Sequence, residues 1–119
     1  MNNNLKDSIE RNFGKATITH ALESKWSGTE WTCISYKYNK LKWLDKNSVP
    51  KPSEEELQIE VDNLQEEYDV QEYARNRKAE YPDMGSQLNK IYDDGVTKWK
   101  SEMVDPIKLK WPKDNSGPK

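Results

Sequence analysis

A stripe of apolar side chains in the middle of the chain predicts its longest helix. The members recur at spacings of four, three and four residues, which places them on one helical face: Leu57, Val61, Leu64 and Tyr68. Ser53 is a typical N-cap residue, and Glu56 completes a capping box with it. Pro82 cannot continue a helix. We therefore predict one long helix from Glu54 to about Tyr81.

Two partners would explain this stripe, and the sequence leaves both open. The stripe would pack on the N-terminal β-hairpin described below, or on a second copy of the chain. Two heptads are too few to establish a coiled coil. Beyond Tyr68 the apolar register changes, because Val70, Tyr73 and Ala74 lie on a different and more polar face of the same helix.

Residues 1–16 are predicted to form an appendage with one short amphipathic helix. Leu5, Ile9 and Phe13 recur every four residues and share a helical face, and Gly14 follows as a helix stop. A helix of this length is not stable by itself in water.

Residues 17–49 predict a short helix followed by a β-hairpin. Thr17 is a suitable N-cap for the helix. The run 31–38 is rich in β-branched and aromatic residues, which favours a strand, and 41–44 would form the second strand. Cys33 lies inside the first run, and we expect it to be a small buried hydrophobic residue.

The remainder of the helical region 53–111 is predicted to contain shorter helices. One helix includes residues 87–92 and has Gly95 as its C-cap, and another runs from about 97 to 104. The segment 112–119 contains two prolines and a glycine, so we expect a disordered tail.

The composition fits one domain with a thin core. Leu, Ile, Val and Phe make up only about 17% of the 119 residues, a fraction at which disorder becomes plausible. Five Trp, six Tyr and a net charge of only −2 argue for a folded chain. We predict one α+β domain: a small N-terminal β-hairpin with a short helix, a long central α-helix and a short C-terminal helical hook.

Several function classes are excluded on composition and motifs. No apolar run is long enough to span a membrane, and the N-terminal residues do not form a secretory signal. The single Cys33 excludes an intrachain disulfide and a cysteine zinc site. The single His20 is best interpreted as a partly exposed helix residue, and no nucleotide-binding or zinc-protease motif is present. We predict no enzymatic activity, no catalytic residues, no cofactor and no metal.

The charges are unevenly distributed, and two charged segments invite a functional interpretation. Nine carboxylates and no basic residues lie between Glu54 and Glu72. On a straight helix such side chains point outward without converging, so a solvated face explains them better than a metal site. The segment 98–113 interleaves lysines with Trp99 and Trp111, as in platforms that bind single-stranded nucleic acid. Lysines that flank a core tryptophan are the more common explanation of such a pattern.

A longer pattern in the C-terminal half resembles a known family. It reads Tyr73-x3-Arg77-x2-Glu80-Tyr81-Pro82-x4-Gln87-Leu88-x2-Ile91-Tyr92-x2-Gly95-x3-Trp99-Lys100, followed by Ile107-Lys108 and Trp111-Pro112-Lys113. Together with weaker matches upstream, the similarity covers about residues 17–113. The pattern resembles small proteins that tailed bacteriophages encode near tail-fibre and other virion genes. The resemblance implies a tail-associated role, without catalytic residues, in the host cytoplasm during infection or in the virion.

The leading hypothesis is therefore a non-enzymatic phage structural or tail-fibre assembly protein that acts through protein–protein contacts. Its partner would be a tail or tail-fibre protein, or a second copy of itself. The proposed interface residues are the apolar stripe and two aromatic anchors: Leu57, Val61, Leu64, Tyr68, Trp99 and Trp111. One alternative is a host-takeover protein that inhibits a bacterial target. A further alternative is a single-stranded nucleic-acid binder through residues 98–113.

Overall fold

Helices make up most of the chain and one small antiparallel sheet accompanies them, which agrees with the predicted α+β class. The computed structural model describes residues 1–119 and divides them into two compact units, Met1–Asp69 and Val70–Lys119. The first unit holds α1 (Asn3–Arg11), α2 (Ile18–Lys25), β1 (Trp31–Thr32), β2 (Lys42–Trp43) and, apart from its last residue, α3 (Glu54–Val70). The second holds α4 (Glu72–Glu80), α5 (Met84–Asp94), α6 (Val96–Trp99), a π-helical turn (Lys100–Val104) and α7 (Asp105–Lys110).

The core of the first unit consists of two clusters, and both include side chains of the α3 stripe. The first cluster joins α1 to the C-terminal half of α3 through Leu5, Ile9, Leu64 and Tyr68. The second joins α2 and the antiparallel β-ribbon formed by β1 and β2 to the start of α3. It consists of Ala21, Leu22, Leu41 and Leu57. The start of the stripe therefore packs beside α2 and the β-ribbon, which is close to one of the two alternatives that the sequence left open. Its C-terminal half packs on α1 instead, which neither alternative included.

The N-terminal helix α1 belongs to the first unit and is not a separate appendage. Its N-cap is Asn2, whose side-chain oxygen accepts the Leu5 N–H at 2.7 Å. Phe13, expected on the buried face, is 93% exposed because the backbone turns left-handed there, at φ +58°. Gly14 continues the turn at φ +74°, and a Cβ at this position would lie 3.2 Å from the Tyr68 ring. Glycine thus permits the close approach to α3.

Gln65 fixes the connection between α1 and α2 onto α3. Its amide nitrogen donates to the Gly14 carbonyl at 2.9 Å, and its amide oxygen accepts the Ala16 N–H at 2.9 Å. One side chain therefore satisfies two backbone groups in a segment without secondary structure.

The β-ribbon is present but much shorter than predicted. Trp31 pairs with Trp43 and Thr32 with Lys42 in antiparallel register. The expected strand 31–38 ends early because Ser35 and Tyr36 adopt left-handed φ angles of +58° and +57°, which an extended strand does not permit.

Cys33 consequently lies beyond the strand that was expected to bury it. The side chain is only partly buried, and its thiol donates to the Lys37 carbonyl with a sulfur–oxygen distance of 3.4 Å. A short 3₁₀ turn, Tyr38–Lys40, then leads into β2.

The predicted long helix begins where expected but is interrupted. The Glu56 N–H donates to Ser53 Oγ at 3.1 Å, which confirms the N-cap. Gln71, at φ −93° and ψ 10°, separates α3 from α4, so 54–81 is not one uninterrupted helix. The Asn115 side chain replaces helical partners at this point: its oxygen accepts the Tyr73 N–H at 2.8 Å, and its nitrogen donates to the Val70 carbonyl at 3.4 Å.

The second unit has no fully buried side chain, since every buried residue lies at or before Tyr68. The predicted helix near 97–104 is found as α6 and the π-helical turn, and Pro106 lies in the first turn of α7. Residues 112–119, expected to be disordered, make backbone contacts instead: the Lys119 N–H donates to the Lys110 carbonyl at 2.9 Å.

Candidate protein-contact site

The best candidate site in the second unit is built on α5, a helix with well-defined ends. Pro82 and Asp83 precede it, and Asp83 is its N-cap, with Oδ1 accepting the Ser86 N–H at 2.8 Å. The same hydrogen bond holds the pKa of the Asp83 carboxyl below its usual value. Gly95 is the C-cap at φ +88°, as the sequence predicted.

One side of α5 faces its own unit and is partly buried. Gln87 donates to the Pro82 carbonyl at 2.8 Å and accepts the indole N–H of Trp99 at 3.2 Å. Lys90 pairs with Asp94 at 2.7 Å and also with Glu102, and these two carboxylates raise the pKa of Lys90 to about 12. The inner side of α5 is thus held mainly by polar contacts.

The outer side of α5 carries apolar side chains that nothing in the structure covers. Met84, Leu88 and Tyr92 recur every four residues and are 69%, 58% and 90% exposed, respectively. This group is called the α5 face below. Helical residues four apart are neighbours on one surface. Three large apolar side chains side by side on a helix are typical of a surface that binds another protein.

Arg77 connects two helices of the second unit. Arg77 of α4 donates through Nε to the Trp111 carbonyl at 2.8 Å and through a terminal nitrogen to the Lys108 carbonyl at 3.2 Å. Its guanidinium also lies 5.0 Å from the centre of the Tyr73 ring. Arg77 therefore holds the C-terminal end of α7 on α4, where the last carbonyls of a helix lack helical partners.

Glu80 completes this connection with charge-assisted contacts. Its carboxylate accepts from Lys110 Nζ at 2.7 Å and from the indole N–H of Trp111. The hydrogen bond from Lys110, and to a smaller extent the one from Trp111, holds the pKa of the Glu80 carboxyl below its usual value. The motif residues Arg77, Glu80 and Trp111 thus form one structural cluster between α4 and α7.

The interface residues predicted from the sequence occupy different places. Leu57, Leu64 and Tyr68 are buried within the first unit, and Val61 is partly buried against the second core cluster. Trp99 and Trp111 are partly buried in the second unit, and each indole N–H has an acceptor there. Four of the six residues thus belong to the first unit and two to the second.

Two of the five lysines in the segment 98–113 form ion pairs. Lys100 Nζ lies 2.9 Å from Asp105, and Lys110 is paired with Glu80. A single-strand platform needs cations that are free to reach phosphates and rings that are free to stack. These contacts favour a structural role for Lys100, Lys110 and the two tryptophans.

The α5 face was missed by sequence reasoning, although its spacing is visible in the sequence. The predicted helix over residues 87–92 includes Leu88 and Tyr92 but not Met84, which lies four residues before Leu88 on the same face. Spacing alone shows that apolar residues share a helical face. It does not show whether the chain has another element to cover that face.

His20 is buried, at 4% exposure, and not partly exposed as expected. The Thr17 N–H donates to His20 Nδ1 at 2.9 Å, so Nδ1 is the unprotonated nitrogen and Nε2 carries the hydrogen. Nε2 lies 3.1 Å from Ser8 Oγ and donates to it. A histidine in this tautomer cannot accept a proton from Ser8, so the pair is arranged as a structural contact.

The structure bears on two kinds of site, a metal site and a membrane-spanning helix. No set of three or more His, Cys, Asp or Glu side chains is grouped so that it could hold a metal ion. No helix combines the length and the apolar character that crossing a membrane would require.

None of the protein families, curated proteins or solved structures compared with this chain matches it.

Proposed function

We propose that this protein is a non-enzymatic, tail-associated bacteriophage protein, structural or active in tail-fibre assembly, that binds a tail or tail-fibre protein through the α5 face. The observation that carries the proposal is the exposure of Met84, Leu88 and Tyr92 on one side of a capped helix. Leaving such apolar area in water is unfavourable, so covering it on association is a source of binding free energy.

The chemistry of the α5 face suits a protein partner. Aromatic residues are frequent energetic centres of protein interfaces, and Tyr92 offers both a large ring and a hydroxyl. Leu88 and Met84 add adaptable apolar area beside it. Polar residues such as Asn89 and Asp93 are exposed next to the face and would form the rim of an interface.

The assignment to phage tails rests on the motif between Tyr73 and Lys113. Within that motif, Arg77, Glu80 and Trp111 connect α4 with α7, and Gln87 connects α5 with Trp99. These residues support the unit that carries the α5 face. Proteins that share this motif would therefore share the unit that presents the α5 face.

The proposal is tested by co-expression with tail and tail-fibre proteins of the phage that encodes the protein, followed by light scattering of the purified complex. We expect a complex with one of them that Leu88→Asp disrupts, because a carboxylate replaces an apolar contact. Asn63→Asp is the control, since it adds the same charge at an exposed position on α3 and should leave the complex intact.

Three outcomes would contradict the proposal. The first is no complex with any tail protein, and the second is a complex that Leu88→Asp leaves intact. The third comes from light scattering of the protein alone over a concentration series. A dimer that Leu88→Asp dissociates would assign the α5 face to a second copy of the chain.

A further inference from the structure

A cleft in the first unit has a lining that is distinct from the rest of the surface. It is an open cleft of about 550 Å³ between the C-terminal end of α2, the loop that follows it and the β-ribbon. Its apolar lining includes Leu22, Trp26, Trp31 and Leu44, and its charged lining consists of Glu23 and Glu30. No Lys, Arg or His is among the lining residues.

The two tryptophans are held in place by the core beneath them. Trp26 and Trp31 pack against the second core cluster while part of each ring stays accessible in the cleft. Two indole rings in one cleft present a large polarisable surface. The electron-rich face of an indole attracts cations.

The loop between α2 and β1 is fixed by hydrogen bonds, so the cleft is preformed. Thr29 Oγ1 donates to the Trp26 carbonyl at 2.6 Å. The Asn47 side chain accepts the Glu30 N–H at 2.8 Å and donates to the Glu30 carbonyl at 2.7 Å. A preformed site loses less conformational entropy when it binds.

Two lysines of the protein already lie beside residues that line the cleft. Lys25 Nζ is 5.5 Å from the centre of the Trp26 ring, and Lys46 Nζ is 2.7 Å from the Glu30 carboxylate. Glu23 is exposed in the cleft lining, and its negative charge also acts on the buried His20. The cleft thus combines indole rings with a solvent-accessible carboxylate that a cationic ligand can reach.

We propose that this cleft binds an arginine side chain of a partner protein. A planar guanidinium can stack on an indole ring and donate two parallel hydrogen bonds to a carboxylate, which a lysine ammonium cannot do. The carboxylates at the same time disfavour phosphates and other anions. The cleft belongs to the first unit, so this proposal does not depend on the α5 face.

The test uses a short blocked peptide, acetyl-Gly-Gly-Arg-Gly-Gly-amide, and the same peptide with citrulline in place of arginine. Citrulline has nearly the same shape but no charge. The readout is the NMR signals of the Trp26 and Trp31 indole N–H groups in the full-length protein. We expect the arginine peptide to shift both signals saturably and the citrulline peptide to bind about tenfold more weakly, as loss of a charge-assisted hydrogen bond implies.

Variants separate a specific site from general charge attraction. Glu23→Gln should weaken binding of the arginine peptide several-fold, whereas Glu66→Gln, an exposed position on α3, should leave it unchanged. The remaining amide signals report whether each variant is folded. Equal binding of both peptides, no shift of either indole signal, or equal binding of tetramethylammonium ion would overturn the proposal.

Discussion

Asn115 and Tyr73 are 42 residues apart in sequence, yet the Asn115 side chain accepts the Tyr73 N–H at 2.8 Å. It also donates to the Val70 carbonyl, and in this way it supplies partners that a continuous helix would have supplied within itself. The backbone of Asn115 is left-handed, at φ +61°, a conformation that asparagine tolerates better than most residues.

Replacing Asn115 should loosen the start of α4. Asn115→Gly removes both side-chain hydrogen bonds without backbone strain, because glycine accepts a positive φ. We expect a loss of about 1 kcal/mol in local stability and faster hydrogen exchange at the Tyr73 amide. Lys113→Ala, at an exposed position nearby, is the control. Unchanged exchange at Tyr73 in Asn115→Gly would contradict the role of this contact.

The stability of the first unit should depend on pH through His20. Burial is the main cause that lowers the pKa of His20 below 6.5, so the unfolded state binds the proton more readily. Stability should therefore be complete above pH 6.5 and decline as the pH falls below that value. Protonation would also place a hydrogen on Nδ1, where the Thr17 N–H now donates.

Denaturation curves between pH 5 and 8 would measure this dependence. His20→Gln is the informative variant, because glutamine can keep the capping contact with Thr17 but does not titrate. The variant should show a flatter pH profile than the wild-type protein. Identical profiles for the two proteins would exclude His20 as the titrating group.

Truncation of Leu64 should reduce stability far more than truncation of Leu88. Leu64 is 2% exposed and packs with Leu5, Ile9 and Tyr68, so Leu64→Ala should destabilise the first unit by about 2–5 kcal/mol. Leu88 is exposed, and Leu88→Ala should change stability by less than about 0.5 kcal/mol. Chemical denaturation compares the two. A comparable loss in both variants would mean that the α5 face is covered in solution.

Acid should break the contact between Glu80 and Trp111. Hydrogen bonds from Lys110 and Trp111 lower the pKa of Glu80 below 4.5, so the contribution of the carboxylate is present above pH 4.5 and is lost as the pH falls through the lowered pKa. The Trp111 indole N–H signal should therefore shift in acid, with a midpoint below 4.5. In Lys110→Met that midpoint should rise, since the Lys110 ammonium no longer donates to the carboxylate. An unchanged midpoint in Lys110→Met would show that Lys110 does not lower the pKa of Glu80.

The amino-acid sequence by itself determined the local features of this fold. Ser53 begins α3, Gly95 ends α5, and the apolar stripe lies on one face of α3, because caps and helical periodicity depend only on residues a few positions apart. The short ribbon is a partial success. The strand-forming run from Trp31 contains Ser35 and Tyr36, whose left-handed backbone depends on packing that propensity does not describe.

Only the tertiary structure decided which apolar faces are covered and where the central helix is interrupted. The stripe that includes Leu64 meets α1, whereas the similar spacing of Met84, Leu88 and Tyr92 meets nothing. The interruption at Gln71 involves Asn115, which lies far away in sequence. Periodicity specifies the direction in which side chains point along one helix, but burial is a relation between segments and depends on how the chain folds back on itself.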